Sequence, residues 1–183
     1  ILGVDERDES KEHNEKVAQK LKVEAKFIAA KIADTPNQAV DIAIALHACD
    51  TATDDAIYWA VKNNAKVIMA APCCMHELQT QIKEAPEPWA LLTKNGLVKE
   101  RLVDLITDSL RAQILKLLGY RVDIVEFIGG EHTARNILIR AVKTNQSFSD
   151  IDKDRYQQML TQWQIKPYLA KLLAAELKAS AGI

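Results

Sequence analysis

Thiol, imidazole and carboxylate groups follow two apolar stretches, VDIAIAL (residues 40–46) and KVIMAA (residues 66–71). The residues concerned are His47, Ala48, Cys49, Asp50, Pro72, Cys73, Cys74 and His76. If the two stretches are neighbouring parallel strands, these groups converge at the edge of the sheet where ligands bind. Three interpretations stay open: the lining of a substrate or cofactor pocket, metal coordination by soft ligands, or packing of the cysteines as small hydrophobic groups. We expect a pocket lining and no bound metal.

Acidic residues follow two further apolar stretches. Asp5 and Glu6 come after Ile1–Val4, where a carboxylate can accept hydrogen bonds from both hydroxyls of a ribose. The alternative is a solvated acidic turn within DERDES. Ala33 and Asp34 close the next stretch, and Asp34 is either a partner for an adenine amino group or a turn residue before a proline. We expect Asp5 to contact a ribose, and both interpretations of Asp34 stay open.

Two other groups of residues could carry chemistry. Trp89 stands in the stretch from residue 83 to 99, which contains two prolines and Gly96 and which we predict to be an irregular insert or lid. Trp89 is either a base-stacking residue that lines the substrate site or a hydrophobic anchor. Asp108 and Arg111 lie within one helical turn of each other, and we interpret them as a surface or structural ion pair.

Strands that alternate with helices must position these groups. Apolar stretches predict strands at residues 1–4, 25–30, 40–46 and 66–71, and the continuous apolar character of residues 40–46 predicts burial on both faces. Helices are predicted from Ser10 to Lys22, with Ser10 as N-cap, and after residue 50, with Thr51 or Thr53 as N-cap. The stripe from Leu102 to Leu117 predicts a third helix. This order indicates a mainly parallel, Rossmann-like α/β sheet in a three-layer sandwich.

The pattern changes near the end of the sheet. Residues 120–128 and 136–142 are both strand-like, and the seven residues between them are too few for a crossover helix. They therefore predict a terminal antiparallel hairpin, which argues against an ordinary nicotinamide-binding domain. Residues 149–183 are predicted to be a helical extension that packs on a core formed by residues 1–148.

Composition excludes several classes of protein. The net charge of −1 provides no bulk attraction to nucleic acid or to an anionic membrane. No apolar stretch approaches the roughly 20 residues that a membrane-spanning helix needs, so we expect no membrane partner. Three cysteines, two of them adjacent, do not form a disulfide framework, and we expect a cytoplasmic location.

Two short motifs resemble a known family. LHACDTATDDAI and APCCMHEL are similar to the segments of class I S-adenosylmethionine-dependent methyltransferases that carry H-x-C-x-x-x-T-D after the fourth strand and C-C-x-H after the fifth. The stretch TDSLRAQILKLLGYRVDIVEFIGGEHTARNILIRAV resembles the bacterial branch, so the resemblance extends from Ile1 to Lys143. Met75 stands where relatives often have a histidine, which weakens any role carried over to that position.

The resemblance implies S-adenosylmethionine as cofactor and assigns roles to residues. Asp5 and Glu6 would hold the ribose, Ala33 and Asp34 the adenine side, and residues 47–49 the rest of the cofactor. Pro72, Cys73 and Cys74 of the second motif would line the substrate. Beyond the resemblance, we expect His47 and Asp50 to orient the methyl acceptor, His76 to remove a proton, and Trp89 to line the substrate. Related tRNA ribose methyltransferases suggest RNA as the acceptor, by analogy.

The resemblance also implies that part of the fold is missing. None of the six glycines forms a glycine-rich loop after a first strand. We therefore expect the chain to lack the central first strand, to bind cofactor poorly on its own, and to form a homo-oligomer through the exposed sheet edges. A zinc-dependent enzyme and a non-catalytic scaffold of the same fold are the alternatives.

Overall fold

The computed structural model describes residues 1–46, 48–126, 136–144 and 146–183. The chain divides into two compact units, Ile1–Ala39 and Val40–Ile183. Strands and helices alternate through most of the described chain, and both parallel and antiparallel pairs occur. The structure is therefore a mixed α/β protein, as the sequence predicts.

The first unit contains a two-stranded parallel sheet and one long helix. Its elements are β1 (Leu2–Asp5), α1 (Asp8–Leu21), β2 (Lys26–Ala29) and a 3₁₀ turn (Ile32–Asp34). The predicted N-cap at Ser10 is wrong, because α1 begins at Asp8. Asp8 and Glu9 occupy its first turn, where negative charge favours the positive end of the helix dipole.

Gly3 is needed where the two strands of this unit pair. It lies opposite Phe27 in the register, and a Cβ atom on Gly3 would overlap the Phe27 ring. The absence of a side chain thus lets the ring lie across β1. This close approach explains a glycine inside a strand, where it otherwise weakens the sheet.

The second unit is built on a four-stranded sheet with the order β3-β4-β6-β5. Strands β3 and β4 are parallel, whereas β6 is antiparallel to both β4 and β5. The terminal antiparallel hairpin predicted from the sequence is confirmed for its strands, and its turn lies outside the described residues. The strands are β3 (Ile42–Leu46), β4 (Val67–Ala71), β5 (Tyr120–Glu126) and β6 (Ile137–Lys143).

Helices cover one face of this sheet. Ile57 on α2 and Ile114 on α5 share a hydrophobic core with sheet residues such as Ile68, Ile139 and Ala141. The three C-terminal helices contact α5, and the middle one of them also contacts α2. The helices are α2 (Thr51–Lys62), α3 (His76–Gln81), α4 (Ala90–Thr93), α5 (Gly96–Leu117), α6 (Asp150–Trp163), α7 (Tyr168–Leu172) and α8 (Ala174–Ala181). The predicted boundary after residue 148 stays a prediction.

The other face of β3 differs from the prediction. Ile42, Ile44 and Leu46 alternate along the strand and are 56%, 62% and 57% exposed. The prediction that this strand is buried on both faces is therefore wrong in the described structure. These apolar side chains are suited to burial, but no element in the described part of the chain covers this face of β3.

The predicted insert also differs from the sequence interpretation. The stretch from residue 83 to 99 is less irregular than predicted, since it contains α4 and the first turn of α5. Asn95 caps α5 by accepting hydrogen bonds from the N–H groups of Leu97 and Val98, at 3.0 and 3.4 Å.

None of the helices in the described part of the chain is both long and apolar enough to cross a bilayer.

Candidate functional site

The loops after β3 and β4 meet at one end of the parallel strand pair. Leu46 and Ala71 are register partners, so the two loops leave the sheet at the same level. The Sγ atom of Cys49 lies 3.2 Å from that of Cys73, which lies 3.8 Å from Sγ of Cys74. The sequence-based expectation that these groups converge is met for the three thiols, whereas His47 lies outside the described residues.

The environment of Cys73 and Cys74 keeps these two thiols protonated. Burial, followed by the neighbouring Cys49 and Cys74, raises the pKa of the Cys73 thiol to about 12. Burial and Cys49 also raise the pKa of Cys74. A cysteine nucleophile needs the thiolate form. The raised pKa values therefore leave Cys73 and Cys74 without the thiolate form that a nucleophile needs at neutral pH.

Asp50 ties the two loops together. Its backbone N–H donates to the carbonyl of Cys74 at 3.1 Å, and its Oδ1 atom accepts hydrogen bonds from the N–H groups of His76 and Glu77 at 3.0 and 3.1 Å. The carboxylate thus satisfies the first turn of α3, which otherwise has no side-chain cap. Asp50 has a φ of 50°, an uncommon conformation for a residue other than glycine.

Asp50 also occupies the N-cap position of α2, so the prediction of Thr51 or Thr53 as that cap is wrong. Thr53 lies inside the helix, and its hydroxyl donates to the carbonyl of Ala48. The loop from residue 48 to 50 is therefore held at both of its ends by hydrogen bonds. Such local bonds by threonine compete with a capping role.

A buried arginine fixes this loop from the other side. The Nη2 atom of Arg111, on α5, donates to the carbonyl of Asp50 at 2.9 Å. Its guanidinium group also pairs with Asp54 through Nε and Nη2, and with Asp108 through Nη1 at 3.2 Å. The side chains of Arg111, Asp54 and Asp108 are 2%, 6% and 4% exposed. The sequence predicts that Asp108 and Arg111 form either a surface ion pair or a structural one. The pair observed is buried and therefore structural.

The sequence interpretation missed the role of Asp54 in this network. The available signal was the position of Asp108 and Arg111 beside the apolar residues of α5, on the side of the helix that faces the core. A cation at such a position needs a buried anion from another element. Asp54, in the first turn of α2, provides it.

Asp5 stands at the end of β1, in the first unit. Its Oδ1 atom accepts hydrogen bonds from the backbone N–H and Nε of Arg7, at 2.9 and 3.2 Å. These bonds lower the pKa of Asp5 and keep the carboxylate ionised at neutral pH. A cavity of about 120 Å³ adjoins Asp5 and is lined also by Gly3, Lys11 and Phe27. Glu6, the next residue in the sequence, is exposed.

The remaining predicted residues differ in their exposure to solvent. Ala33 and Asp34 are exposed on the 3₁₀ turn of the first unit. His76 is exposed at the first position of α3, and Pro72 is buried at the end of β4. Trp89 is 50% exposed immediately before α4. The structure therefore brings together residues 48–50 with residues 72–76, and the functional roles assigned to all of these residues stay predictions.

The sequence was compared with known proteins. Residues 1–81 match a family model described as a methyltransferase domain. No curated protein and no solved structure matches the chain. The matched segment includes β1 and β2, the parallel pair β3 and β4, and both loops that carry the thiols. The match supports a methyltransferase domain in this part of the chain.

Proposed function

We propose that the protein is a class I methyltransferase that takes its methyl group from S-adenosylmethionine. The observation that carries this proposal is the pairing in the second unit, where β6 lies between β4 and β5 and is antiparallel to both. An antiparallel last strand inserted beside a parallel pair agrees with the class I arrangement. The match of residues 1–81 to a methyltransferase domain supports the same conclusion.

The cofactor would bind at the carboxyl ends of the parallel strands. Asp5 fits the ribose hydroxyls because its carboxylate is ionised and stands on the last residue of β1. Glu6 would assist it, and Ala33 and Asp34 would contact the adenine. Residues 47–49 would contact the remainder of the cofactor, which supplies an activated methyl group when bound. A second layer of helices over Ile42, Ile44 and Leu46 would complete a three-layer sandwich.

The acceptor would be oriented by His47 and Asp50, with His76 as the group that removes its proton. His76 begins α3 and is exposed, so its ring is accessible to an acceptor. Methyl transfer requires in-line placement of the nucleophile and the methyl group, so positioning contributes more than covalent help from the protein. Pro72, Cys73, Cys74 and Trp89 would line the acceptor site. We propose RNA as the acceptor class and a cytoplasmic location.

Calorimetry of the full-length protein with S-adenosylmethionine and S-adenosylhomocysteine tests cofactor use. Saturable binding of both is expected, and absence of binding would favour a non-catalytic scaffold. Transfer of radiolabelled methyl groups to total RNA then tests the acceptor. His76→Ala should abolish incorporation, while His13→Ala, at an exposed histidine on α1, should not change it. Equal incorporation by both variants would reject the role of His76.

We also propose that copies of the protein associate through β3. In the described residues, β3 pairs on one side only, with β4, and three of its apolar side chains are exposed. Unpaired apolar strand edges promote association. Sedimentation velocity should show a concentration-dependent increase in mass, and Ile44→Lys should reduce it. A strictly monomeric protein at all concentrations would contradict this proposal.

A further inference from the structure

All three cysteines of the chain lie in one cluster. Cys49 and Cys73 come from different loops and are 24 positions apart in the sequence. The sulfur atoms of the three cysteines all lie within 4.8 Å of one another. We propose that Cys49, Cys73 and Cys74 form a Zn²⁺ site with three thiolate ligands and a fourth position open to solvent. This site departs from the sequence-based expectation of no bound metal, and it does not depend on the proposed methyl transfer.

The separations of the sulfur atoms fit a zinc ion. With Zn–S bonds of about 2.3 Å in a tetrahedral arrangement, neighbouring sulfur atoms lie about 3.8 Å apart. The Cys73–Cys74 distance is 3.8 Å and the Cys49–Cys73 distance is 3.2 Å. A small movement of the Cys49 side chain, which is exposed, would bring all three sulfur atoms to the required spacing.

The backbone around the cluster is already fixed. Asp50 follows Cys49 directly, and its N–H group is bonded to the carbonyl of Cys74. Its carboxylate holds the N–H groups of His76 and Glu77, and its carbonyl accepts from Arg111. Hydrogen bonds behind the ligands orient metal sites and contribute strongly to their affinity. This scaffold would hold the thiols in place before the metal arrives.

The ligand chemistry selects the type of metal. Thiolates are soft ligands that favour zinc and monovalent copper over magnesium, calcium or manganese, which prefer oxygen. Three thiolates alone leave one tetrahedral position unfilled, as in sites that bind water or a substrate rather than in closed structural sites. Because Cys49 is exposed while Cys73 and Cys74 are half-buried, the open position would lie on the side of Cys49 that faces solvent.

The test uses the full chain, reduced and stripped of metal, with Zn²⁺ or Co²⁺ as the probe. Elemental analysis after dialysis should give one zinc per chain. Cobalt should produce the intense absorption of thiolate-to-metal charge transfer. Zinc affinity is measured by competition with a chromophoric chelator. Loss of a group that only hydrogen-bonds to a metal ligand lowers metal affinity by roughly 10- to 100-fold. A larger loss is expected in each of the variants Cys49→Ser, Cys73→Ser and Cys74→Ser, because each removes a ligand.

Two histidine variants are the matched controls. His76→Ala changes a nearby imidazole outside the three-thiol cluster, and His13→Ala changes one on α1. Both should retain one zinc per chain. Circular dichroism without metal checks that each serine variant is folded. If one is not, the wild-type protein decides the question, because zinc should protect all three thiols from a disulfide exchange reagent.

Three results would overturn the proposal. The first is less than stoichiometric zinc in the wild-type protein, with thiols that react equally fast with and without zinc. The second is full zinc retention by all three serine variants. The third is loss of zinc in His76→Ala only. Failure to bind S-adenosylmethionine would leave the zinc result unchanged, so the two proposals are tested separately.

Discussion

The guanidinium group of Arg111 contacts both carboxylate oxygens of Asp54, with Nε–Oδ1 at 2.7 Å and Nη2–Oδ2 at 3.1 Å. Two parallel bonds of this kind are the strongest form of ion pair between side chains. The contact joins α5 to α2 and places the third donor of the same side chain on the carbonyl of Asp50. Arg111 thus connects the loop after β3 to both helices.

Arg111→Ala should strongly destabilise the second unit. The substitution leaves the Asp54 carboxylate buried without its cation, which costs about 3–5 kcal/mol. All three tryptophans lie in the second unit, so urea unfolding followed by their fluorescence reports this change. The control is Arg140→Ala, which removes an exposed pair with Asp123 and should cost at most about 1 kcal/mol. Equal losses in the two variants would contradict the role of Arg111.

The stability of the protein should depend on pH through Asp108. Burial raises the pKa of this carboxyl from 3.8 to about 6, against the opposing effect of Arg111. Between these values the folded state binds more protons than the unfolded state, so the free energy of unfolding decreases as pH rises. The decrease is on the order of 3 kcal/mol, at 1.36 kcal/mol per pKa unit.

Asp108→Asn should remove this part of the pH dependence. The difference in unfolding free energy between the wild-type protein and the variant should therefore change between pH 4 and pH 6, within the window set by the two pKa values. Asp154→Asn, at an exposed position on α6, serves as the control and should leave the wild-type profile intact. Parallel profiles for the wild type and Asp108→Asn would show that the carboxyl titrates normally.

Asp50→Ala should weaken the first turn of α3. The N–H groups of His76 and Glu77 lose their acceptor, and loss of a cap typically costs about 1 kcal/mol. Alanine also retains a Cβ at the positive φ of this position. Asp50→Asn keeps an oxygen acceptor and should cost less, as measured by urea unfolding. Equal unfolding free energies for Asp50→Ala and Asp50→Asn would indicate that the Asp50 side chain does not stabilise the first turn of α3.

Asp5→Asn should reduce the affinity for S-adenosylmethionine by about 10- to 100-fold, because hydrogen bonds to a charged group contribute about 1.5–3 kcal/mol. The measurement is calorimetry of the full-length protein. Asp154→Asn is again a suitable control, since it removes the same charge from a site in the other unit. Unchanged affinity in Asp5→Asn would exclude this carboxylate from the ribose site.

The sequence predicted the elements of the fold better than their environment. The strands of the second unit, and the antiparallel hairpin, follow from the spacing of apolar segments, which depends on local structure and chain length. Burial of β3 on both faces did not follow, because the apolar pattern of Ile42, Ile44 and Leu46 does not specify which element covers them.

The candidate site shows the same limit. Convergence of the thiols followed from the rule that neighbouring parallel strands end at one edge, and it needed only the register of β3 and β4. The partnership of Arg111 with Asp54 spans 57 positions and depends on how α5 packs against α2. The spacing of apolar residues along the sequence does not specify such a contact between two helices. Its sign in the sequence was the polar pair Asp108 and Arg111 on the face of α5 that is buried.

The overlap of Phe27 with the space above Gly3 links two positions that are distant in the sequence. A protein with this fold can carry a side chain at the position of Gly3 only if the position of Phe27 holds something smaller than an aromatic ring. The two sites should therefore vary together across related sequences, with glycine accompanying the aromatic residue. A sequence that breaks this correlation would need a different spacing of its first two strands.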